Sequence, residues 1–467
     1  VFPKEQECTP HFSMINKPHQ IANPIQENAA RFPDDLFIIT EPQRISFAHF
    51  AELVQEKARK LIDEGYGFGS ILPFQADICL ESLVTIGACL ALGVVACPMR
   101  QEDFEARRSN LSQLVLSSYS PFDLRSFATL VHTSGSSGKP KAALHSLGNH
   151  YFSALGSATN IPLTHGDRWL LNLPLYHVSG LGVFFRCLFS ASTLVIGKGD
   201  VVEIMAQLHI THLSLVAKQL QDLLYGFKRI DNFSKVVNSV PIPIPVHVRH
   251  ILLGGSVIPS RLIQEAKAQG LPIHLSYGMT EMASQIATTP SGASLDALLN
   301  AAGTVLPHRE VRIAADGEVW VRGATRFEGY LQEDMLTSPF DADGWFATND
   351  LGEWTETGAL KILGRKDNMF ISGGENIQPE EIERILLQYE GISQAVVVPV
   401  ADETWGFRPV AFLDAPFLGN DRNEEALRQF LTERLPKFKI PNHFLPMPSL
   451  PDSGIKISRK TLMAHVQ

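Results

Sequence analysis

Thr133-Ser-Gly-Ser-Ser-Gly-Lys-Pro-Lys141 places two glycines, four hydroxyls and two lysines in nine residues. An apolar run, Phe127-Ala-Thr-Leu-Val-His132, precedes it, and Lys141-Ala-Ala-Leu-His145 follows. Both runs read as short strands, so the loop is predicted to tip a hairpin. Such a loop can wrap a polyphosphate. Glycines let the backbone approach the anion, hydroxyls and amides donate hydrogen bonds, and lysines neutralise charge. It is not the Walker pattern, which needs four residues between its glycines and Ser or Thr after the lysine. Here two residues separate Gly135 from Gly138, and Pro140 follows Lys139, which disfavours a helix opening at that lysine. The alternative is a plain Ser/Gly surface turn. What decides between them is whether the other parts of a nucleotide site lie downstream.

The chain has 467 residues, more than one hydrophobic core usually supports, so two or three domains are expected. Its hydrophobic share of 45% and charged share of 19% are those of a globular protein. A net charge of −9 offers no basic excess for nucleic acid. Cys8, Cys79, Cys89, Cys97 and Cys187 are scattered and form no CxxC pair. That suits a reducing, cytoplasmic setting and argues against a disulfide framework or structural zinc. No apolar signal core opens the chain, so secretion is not expected. Ser82 to Met99 carries no charge over 18 residues, about the lower limit for a membrane span. Gly93 and Pro98 interrupt it, which predicts instead a buried helix (about 81–92), a glycine stop and a buried strand (about 94–97).

From about 36 to 215, apolar strand-like runs alternate with helical patterns, as in Trp169-Leu-Leu-Asn-Leu-Pro174, Thr193-Leu-Val-Ile196 and Thr211-His-Leu-Ser-Leu-Val216. The alternation predicts α/β architecture. Val240 to Val248 reads as an extended connector, and Arg249-His-Ile-Leu-Leu253 as a strand ending in Gly254-Gly255. Short β segments and turn pairs from about 300 to 363 predict a β subdomain. Beyond Gly364-Arg-Lys-Asp367 a second unit is expected, with a helix over 378–389, a strand over 395–400 and a helix carrying Leu427, Phe430, Leu431 and Leu435 on one face. The reading is thus a large N-terminal domain (1–365) and a small α+β C-terminal domain (366–467).

Five further stretches carry chemistry. Pro174-Leu-Tyr-His-Val-Ser-Gly180 joins aromatic and imidazole groups to a glycine turn. In Ser276-Tyr-Gly-Met-Thr-Glu281, Tyr277 can stack on a base, Thr280 can donate to a phosphate and Glu281 can serve as a hard oxygen ligand for magnesium. Thr348-Asn-Asp350 offers a carboxylate for a sugar diol and Gly364-Arg365 a guanidinium nearby. Ser453-Gly-Ile-Lys-Ile-Ser-Arg459 puts Lys456 on a glycine-flanked turn. Each alone has an ordinary reading: a packed histidine, a surface carboxylate, a turn, a solvated lysine. Their joint presence in this order does not.

That order resembles the adenylate-forming superfamily, which holds acyl- and aryl-CoA synthetases, luciferases and peptide-synthetase adenylation domains. The resemblance runs from about residue 35 to the end and includes Ile371-Ser-Gly-Gly-Glu-Asn376. It implies stacked sheets with a β subdomain and a mobile C-terminal lid. It implies that Thr133, Ser134, Gly135, Ser136, Ser137, Gly138 and Lys141 line the triphosphate. Gly254, Gly255 and Ser256 would frame adenine with Ser276 and Tyr277, and Asp350 and Arg365 would hold the ribose. Thr280 and Glu281 would serve phosphates and magnesium, and Lys456 the reacting centre. Asp367 would be the hinge, and the Gly373–Gly374 turn part of a pantetheine channel. The implied reaction uses ATP, Mg2+ and coenzyme A: a carboxylate displaces pyrophosphate from ATP, then a thiol takes the acyl group.

Some positions narrow the choice. Ala142 stands where glycine is usual, followed by Ala143-Leu-His145. With Leu173-Pro-Leu-Tyr-His-Val-Ser-Gly-Leu181 and Gly373-Gly-Glu-Asn-Ile-Gln-Pro-Glu-Glu381, it is similar to the o-succinylbenzoate–CoA ligase branch of the family, of menaquinone synthesis. That implies a small aromatic dicarboxylate substrate, with His177 and Gly180 on its side of the site. A cation for its second carboxylate is expected at Arg186 or Lys218, each of which interrupts an apolar stretch; the alternative is that they snorkel to solvent. Another aryl- or acyl-CoA synthetase stays open, as does a carrier-loading adenylation enzyme, with no carrier-sized domain expected beyond residue 467. A homodimer surface is expected from size, with no residues assigned.

Overall fold

The computed structural model of the chain describes residues 19–111, 115–116, 119–133, 141–226, 247–332, 335–419, 421–448 and 459–466. Strand alternation builds the main body. In Thr193–Ile196, Leu194 and Ile196 enter one apolar cluster and Val195 another; Trp169 and Leu170 divide the same way. A period of two with both faces apolar is what a doubly covered sheet demands. The sheet runs in the order Thr304–Val305, Ser284–Thr288, Ile273–Met279, His250–Leu253, His212–Leu215, Arg168–Leu170, Thr193–Ile196, Leu36–Thr40, Arg44–Ser46. The strands from Ile273–Met279 to Leu36–Thr40 are parallel, and the edges are antiparallel.

A second sheet has the order Met335–Thr337, Gly329–Gln332, Lys141–Ser146, Phe127–Thr133, Val95–Met99, Ile71–Gln75. Helices Phe47–Asp63, Leu80–Leu92, Leu147–Ala158 and Val178–Ser190 fill the space between the sheets, in one cluster reaching from Ile38 and Leu194 to Ala96 and Val131. The uncharged run 82–99 is part of this core. Gly93, at φ +68°, caps the helix in the left-handed conformation and Val95–Met99 follows as a strand. Among the described residues, no helix is long and apolar enough to cross a membrane. The predicted hairpin is present, paired from Phe127↔Ser146 to Thr133↔Lys141, while the tip 134–140 lies outside the described residues.

The β-rich stretch expected over 300–363 serves three sheets. Thr304–Val305 edges the large sheet, and Gly329–Gln332 and Met335–Thr337 extend the second one. Arg309–Ile313, Glu318–Gly323, Phe346–Trp354 and Leu360–Arg365 form a four-stranded antiparallel sheet. The run 169–174 is a strand only as far as Leu170, since the chain turns away toward Pro174. The connector expected at 240–248 lies largely outside the described residues. From Phe370 on, the buried apolar side chains pack among themselves. Ile377, Ile382, Leu386, Val397, Leu413, Leu427 and Leu431 form a separate core under the sheet Gln394–Asp402, Gly406–Asp414, His443–Pro446. Helix Pro379–Leu386 opens on proline with Glu380 and Glu381 in its first turn. Helix Asp421–Thr432 stops before Leu435, which is still buried. The architecture is α/β, with a large N-terminal domain and a smaller C-terminal one.

A row of rings crosses the large sheet. Trp169, His212, His250 and His274 stand on adjacent strands with successive centroids 5.1, 5.0 and 5.1 Å apart. His274 Nδ1 donates to the Thr289 carbonyl and His212 Nε2 to that of Pro162, each at 3.0 Å. Burial pulls His212 and His250 down to about 4 and lowers His274, and Arg249 adds to the effect on His250. Their folded pKa values lie below that of an unfolded histidine. The stability they allow is therefore complete above about pH 6.5 and drains as pH falls toward 4. His212 alone is expected to remove about 2 kcal/mol between pH 7 and 5. Urea midpoints across that range should show a shallower fall for His212→Gln than for wild type; parallel curves would exclude the ladder as the source.

Candidate active site

The strand Ile273–Met279 ends in a single 3-10 turn, Thr280–Met282. Ala283 and Ser284, at φ +49° and +106°, then reverse the chain into the antiparallel strand Ser284–Thr288. Three groups hold this turn. His145 Nε2 donates to the Thr280 carbonyl at 2.7 Å, the Phe327 amide donates to the Glu281 carbonyl at 2.8 Å, and Tyr330 Oη donates to Glu281 Oε1 at 2.7 Å. Burial pulls the His145 imidazole down to about 4, so it is neutral and its Nε2 carries the proton. Burial, and then the Glu281 charge, push the Tyr330 phenol up and keep it a donor. The strand Gly329–Gln332 is zipped onto Lys141–Ser146, with Tyr330 opposite Ala143. Lys141 Nζ thereby lies 4.9 Å from the Tyr330 ring centre. The base of the glycine-rich hairpin and the acidic turn are one assembly.

A second group of side chains forms beside it. Tyr277 Oη donates to Asp350 Oδ2 at 2.6 Å, and Arg365 Nη1 donates to Asp350 Oδ1 at 3.2 Å. Register explains the second contact, because Asp350 and Arg365 are opposite one another on antiparallel strands. Thr348 Oγ1 fixes the turn, donating to Val319 O at 2.7 Å and accepting from the Asp350 amide at 3.0 Å. Burial, then the Asp350 charge, hold the Tyr277 phenol well above its ordinary value. Burial works against the Arg365 charge, but hydrogen bonds and charge from Asp367 and Asp350 outweigh it and push its pKa up. Arg365 also makes paired contacts with Asp367, both at 3.0 Å. An aromatic ring, a carboxylate and a guanidinium thus meet, as a nucleoside requires: a face for the base and a bidentate acceptor for a diol.

The glycine turn after His250–Leu253 borders this group. Ser276 Oγ donates to Leu253 O at 3.0 Å, and a Cβ on Gly254 would stand 2.7 Å from that hydroxyl. Gly255 has φ +85°, and Ser256 is exposed.

His177 is the N-cap residue of helix Val178–Ser190, its ring 4.7 Å from Tyr176, and Gly180 is packed against the Leu173 and Pro174 carbonyls. Arg186, on the same helix, is 5% exposed. Its Nη2 donates to Gln285 Oε1 at 2.7 Å, and its guanidinium lies 5.3 Å from the Trp169 ring centre. Its Nε is buried without a hydrogen bond, and among the described residues no carboxylate pairs with it. Burial lowers its pKa to about 10, so it stays charged at neutral pH. Lys218 is different: it is 64% exposed and paired with Asp222 one helical turn on, at 2.6 Å. Of the apolar residues before it, Leu215 ends the preceding strand, while Val216 and Ala217 lead into the next helix, and Lys218 itself faces solvent.

In the C-terminal domain, Gly373 and Gly374 turn the hairpin Phe370–Ser372/Glu375–Ile377 at φ +59° and +88°. The Gly373 amide donates to Trp405 O at 2.9 Å, and a Cβ there would be driven into the Trp405 ring. Asp367 sits in the 3-10 turn Lys366–Asn368. Thr133 and Lys141 flank the hairpin tip; Ser134, Gly135, Ser136, Ser137, Gly138 and Lys456 lie outside the described residues. Three participants were not read from the sequence. Tyr330 sits in an ordinary Gly-Tyr pair, Gln285 in a polar stretch of a strand, and His145 was noted only as a signature residue.

The chain matches known proteins in sequence and in fold. The AMP-binding enzyme family model matches residues 101–331, and that of the AMP-binding enzyme C-terminal domain matches 381–455. The chain is 36% identical to the 2-succinylbenzoate–CoA ligase of Escherichia coli, over 85% of this chain and 82% of that one. It is 30% identical to that of Bacillus licheniformis, over 94% and 99%. Wild-type E. coli MenE with a bound analogue of OSB-AMS superposes with TM-score 0.74 at 30% identity, over 95% of this chain and 98% of that one. O-succinylbenzoate coenzyme A synthetase from Bacillus subtilis, in complex with ATP and magnesium ion, superposes with TM-score 0.76 at 29% identity, over 92% and 96%. The chain belongs to the adenylate-forming family of AMP-binding enzymes, and within it stands among the 2-succinylbenzoate–CoA ligases.

Proposed function

We propose that the protein is an AMP-forming 2-succinylbenzoate–CoA ligase of menaquinone biosynthesis. It would convert 2-succinylbenzoate, ATP and CoA to 2-succinylbenzoyl-CoA, AMP and diphosphate. The observation that carries this reading is Arg186, a buried cation with no carboxylate partner among the described residues, in the same domain as Tyr277, Asp350 and Arg365. Buried charges are normally paired; a substrate with a second carboxylate would supply the missing partner. Lys218, already paired with Asp222 at the surface, has no such vacancy.

The residues divide the work. Tyr277 offers its ring to adenine beside Gly254, Gly255 and Ser256, while Asp350 and Arg365 take the ribose hydroxyls. Thr133 and Lys141, with the hairpin tip between them, surround the phosphates, and Thr280 donates to one. Glu281 uses Oε1 for Tyr330, and Oε2 would hold magnesium. One protein carboxylate suffices, since phosphate oxygens and water fill the rest of its shell. Bound there, the ion offsets phosphate charge. His177 and Gly180 border the aromatic substrate. Lys456 would stabilise charge at the α-phosphorus as the carboxylate displaces pyrophosphate. A boundary at 366 with Asp367 as hinge would then let the small domain exchange Lys456 for the Gly373–Gly374 turn before thiol attack. A cytoplasmic setting fits the four described cysteines, all free, and a homodimer, testable by light scattering, belongs to the same reading.

Two measurements check it. ATP-dependent CoA thioester formation should favour 2-succinylbenzoate over benzoate, succinate and fatty acids; a clear win for any of the others overturns the substrate. Gly373→Ala forces a left-handed L-residue, at about 1–2 kcal/mol, into the Trp405 ring. It should slow the thioester step about tenfold and leave pyrophosphate exchange unchanged. Equal loss in both steps would separate this turn from CoA.

A further inference from the structure

Gln285 stands between two buried guanidinium groups. Its Oε1 accepts from Arg186 Nη2 at 2.7 Å, and its backbone carbonyl accepts from Arg309 Nε at 2.6 Å. Arg309 is 6% exposed and otherwise bonded to neutral oxygens, Pro307 O at 2.8 Å and Ser153 Oγ at 3.2 Å. Among the described residues neither arginine has an acidic partner. Burial lowers both, to about 10 and about 9, yet both stay charged at neutral pH. The Gln285 amide cannot turn freely: its Nε2 donates to Thr288 Oγ1 at 2.7 Å, and Thr288 is fully buried. Arg186 is a donor only, so Oε1 must face it, and the Thr288 contact takes up the NH2 group.

A carboxylate at 285 would have the same shape and would bind Arg186 more strongly, but it would also cancel the charge. We propose that Gln285 is a positioning residue for substrate selection: it anchors Arg186 with a neutral oxygen, so the guanidinium keeps its charge for the second carboxylate of the substrate. Thr288 holds the amide in place through its NH2 group. The inference rests on the functional reading above, with Arg186 as the carboxylate-binding group.

The test compares 2-succinylbenzoate with its monocarboxylate analogue, the non-reacting carboxylate replaced by hydrogen, in wild type, Gln285→Glu and Thr288→Val. Gln285→Glu should raise KM for the dicarboxylate about tenfold or more. KM for ATP and kcat/KM for the analogue should stay within about twofold. Thr288→Val, which leaves the amide NH2 without its partner and loosens the anchor on Arg186, should shift selectivity the same way by a smaller factor. Equal losses on both substrates would reduce Gln285 to a structural residue and overturn the proposal. If Gln285→Glu does not fold, Thr288→Val decides alone by the same criterion. A wild-type enzyme that does not prefer the dicarboxylate removes the functional reading and this proposal together, and shows it before any variant is made.

Discussion

Arg186→Met is expected to raise KM for 2-succinylbenzoate at least about thirtyfold, while the thermal midpoint stays close to wild type. The two halves have separate causes. Removing a desolvated charge from a charge-paired complex costs about 2–5 kcal/mol of binding. In the free protein, however, Arg186 has no acidic partner to strand among the described residues. Its losses there are the hydrogen bond to Gln285 and the contact over Trp169. Methionine restores apolar packing, and replacing a buried ion by a hydrophobe of similar volume is often neutral or stabilising. The monocarboxylate analogue should barely notice the change. Equal KM increases on both substrates would show that Arg186 supports the fold of the site and does not select the substrate.

Lys456→Ala is expected to slow acyl-adenylate formation by a factor on the order of 10²–10³, equivalent to about 3–4 kcal/mol of transition-state stabilisation. The role comes from its motif position, since residue 456 lies outside the described residues. Three positions on, Arg459 Nη2 meets both Glu383 oxygens, at 2.6 and 2.7 Å, and Glu380 at 3.1 Å. Loss of the lysine therefore leaves the C-terminal domain's own anchor intact. Thioester formation from supplied acyl-adenylate should persist while carboxylate-dependent pyrophosphate exchange falls. If both half-reactions fell together, the lysine would not be specific to adenylation.

Local patterns carried much of this molecule into view from sequence. The Thr133–Lys141 hairpin, the cap at Gly93 and the helix at Pro379 follow from short-range rules of turns and caps, and the structure has each strand or helix in place. Asp350 and Arg365 could be paired because both sit in short motifs whose order was recognisable. Other contacts depend on long-range register. Tyr330 reaches Glu281 only because Gly329–Gln332 pairs with a strand nearly two hundred residues earlier, and nothing near Tyr330 announces it. His145 stood out as a signature residue, but its job became visible only with its hydrogen bond to Thr280. Lys218 was drawn toward the site by its apolar neighbours. Those neighbours follow the end of a strand, and exposure rises from buried Leu215 to exposed Lys218 as the next helix begins.

Arg365 belongs to two grips at once. One of its nitrogens reaches Asp350 on the neighbouring strand, and two others close on Asp367 in the turn leading to the small domain. Strand pairing keeps Asp350 where it is. Asp367 lies past the end of strand Leu360–Arg365, in the 3-10 turn Lys366–Asn368, so a torsional change at its backbone would move its carboxylate relative to the guanidinium. With Arg365 on the ribose and residue 367 as the hinge, as proposed, the domain angle and the hold on the sugar would be geared through one side chain: a swing of the small domain would loosen one set of teeth, and a nucleoside seated on Arg365 would resist it.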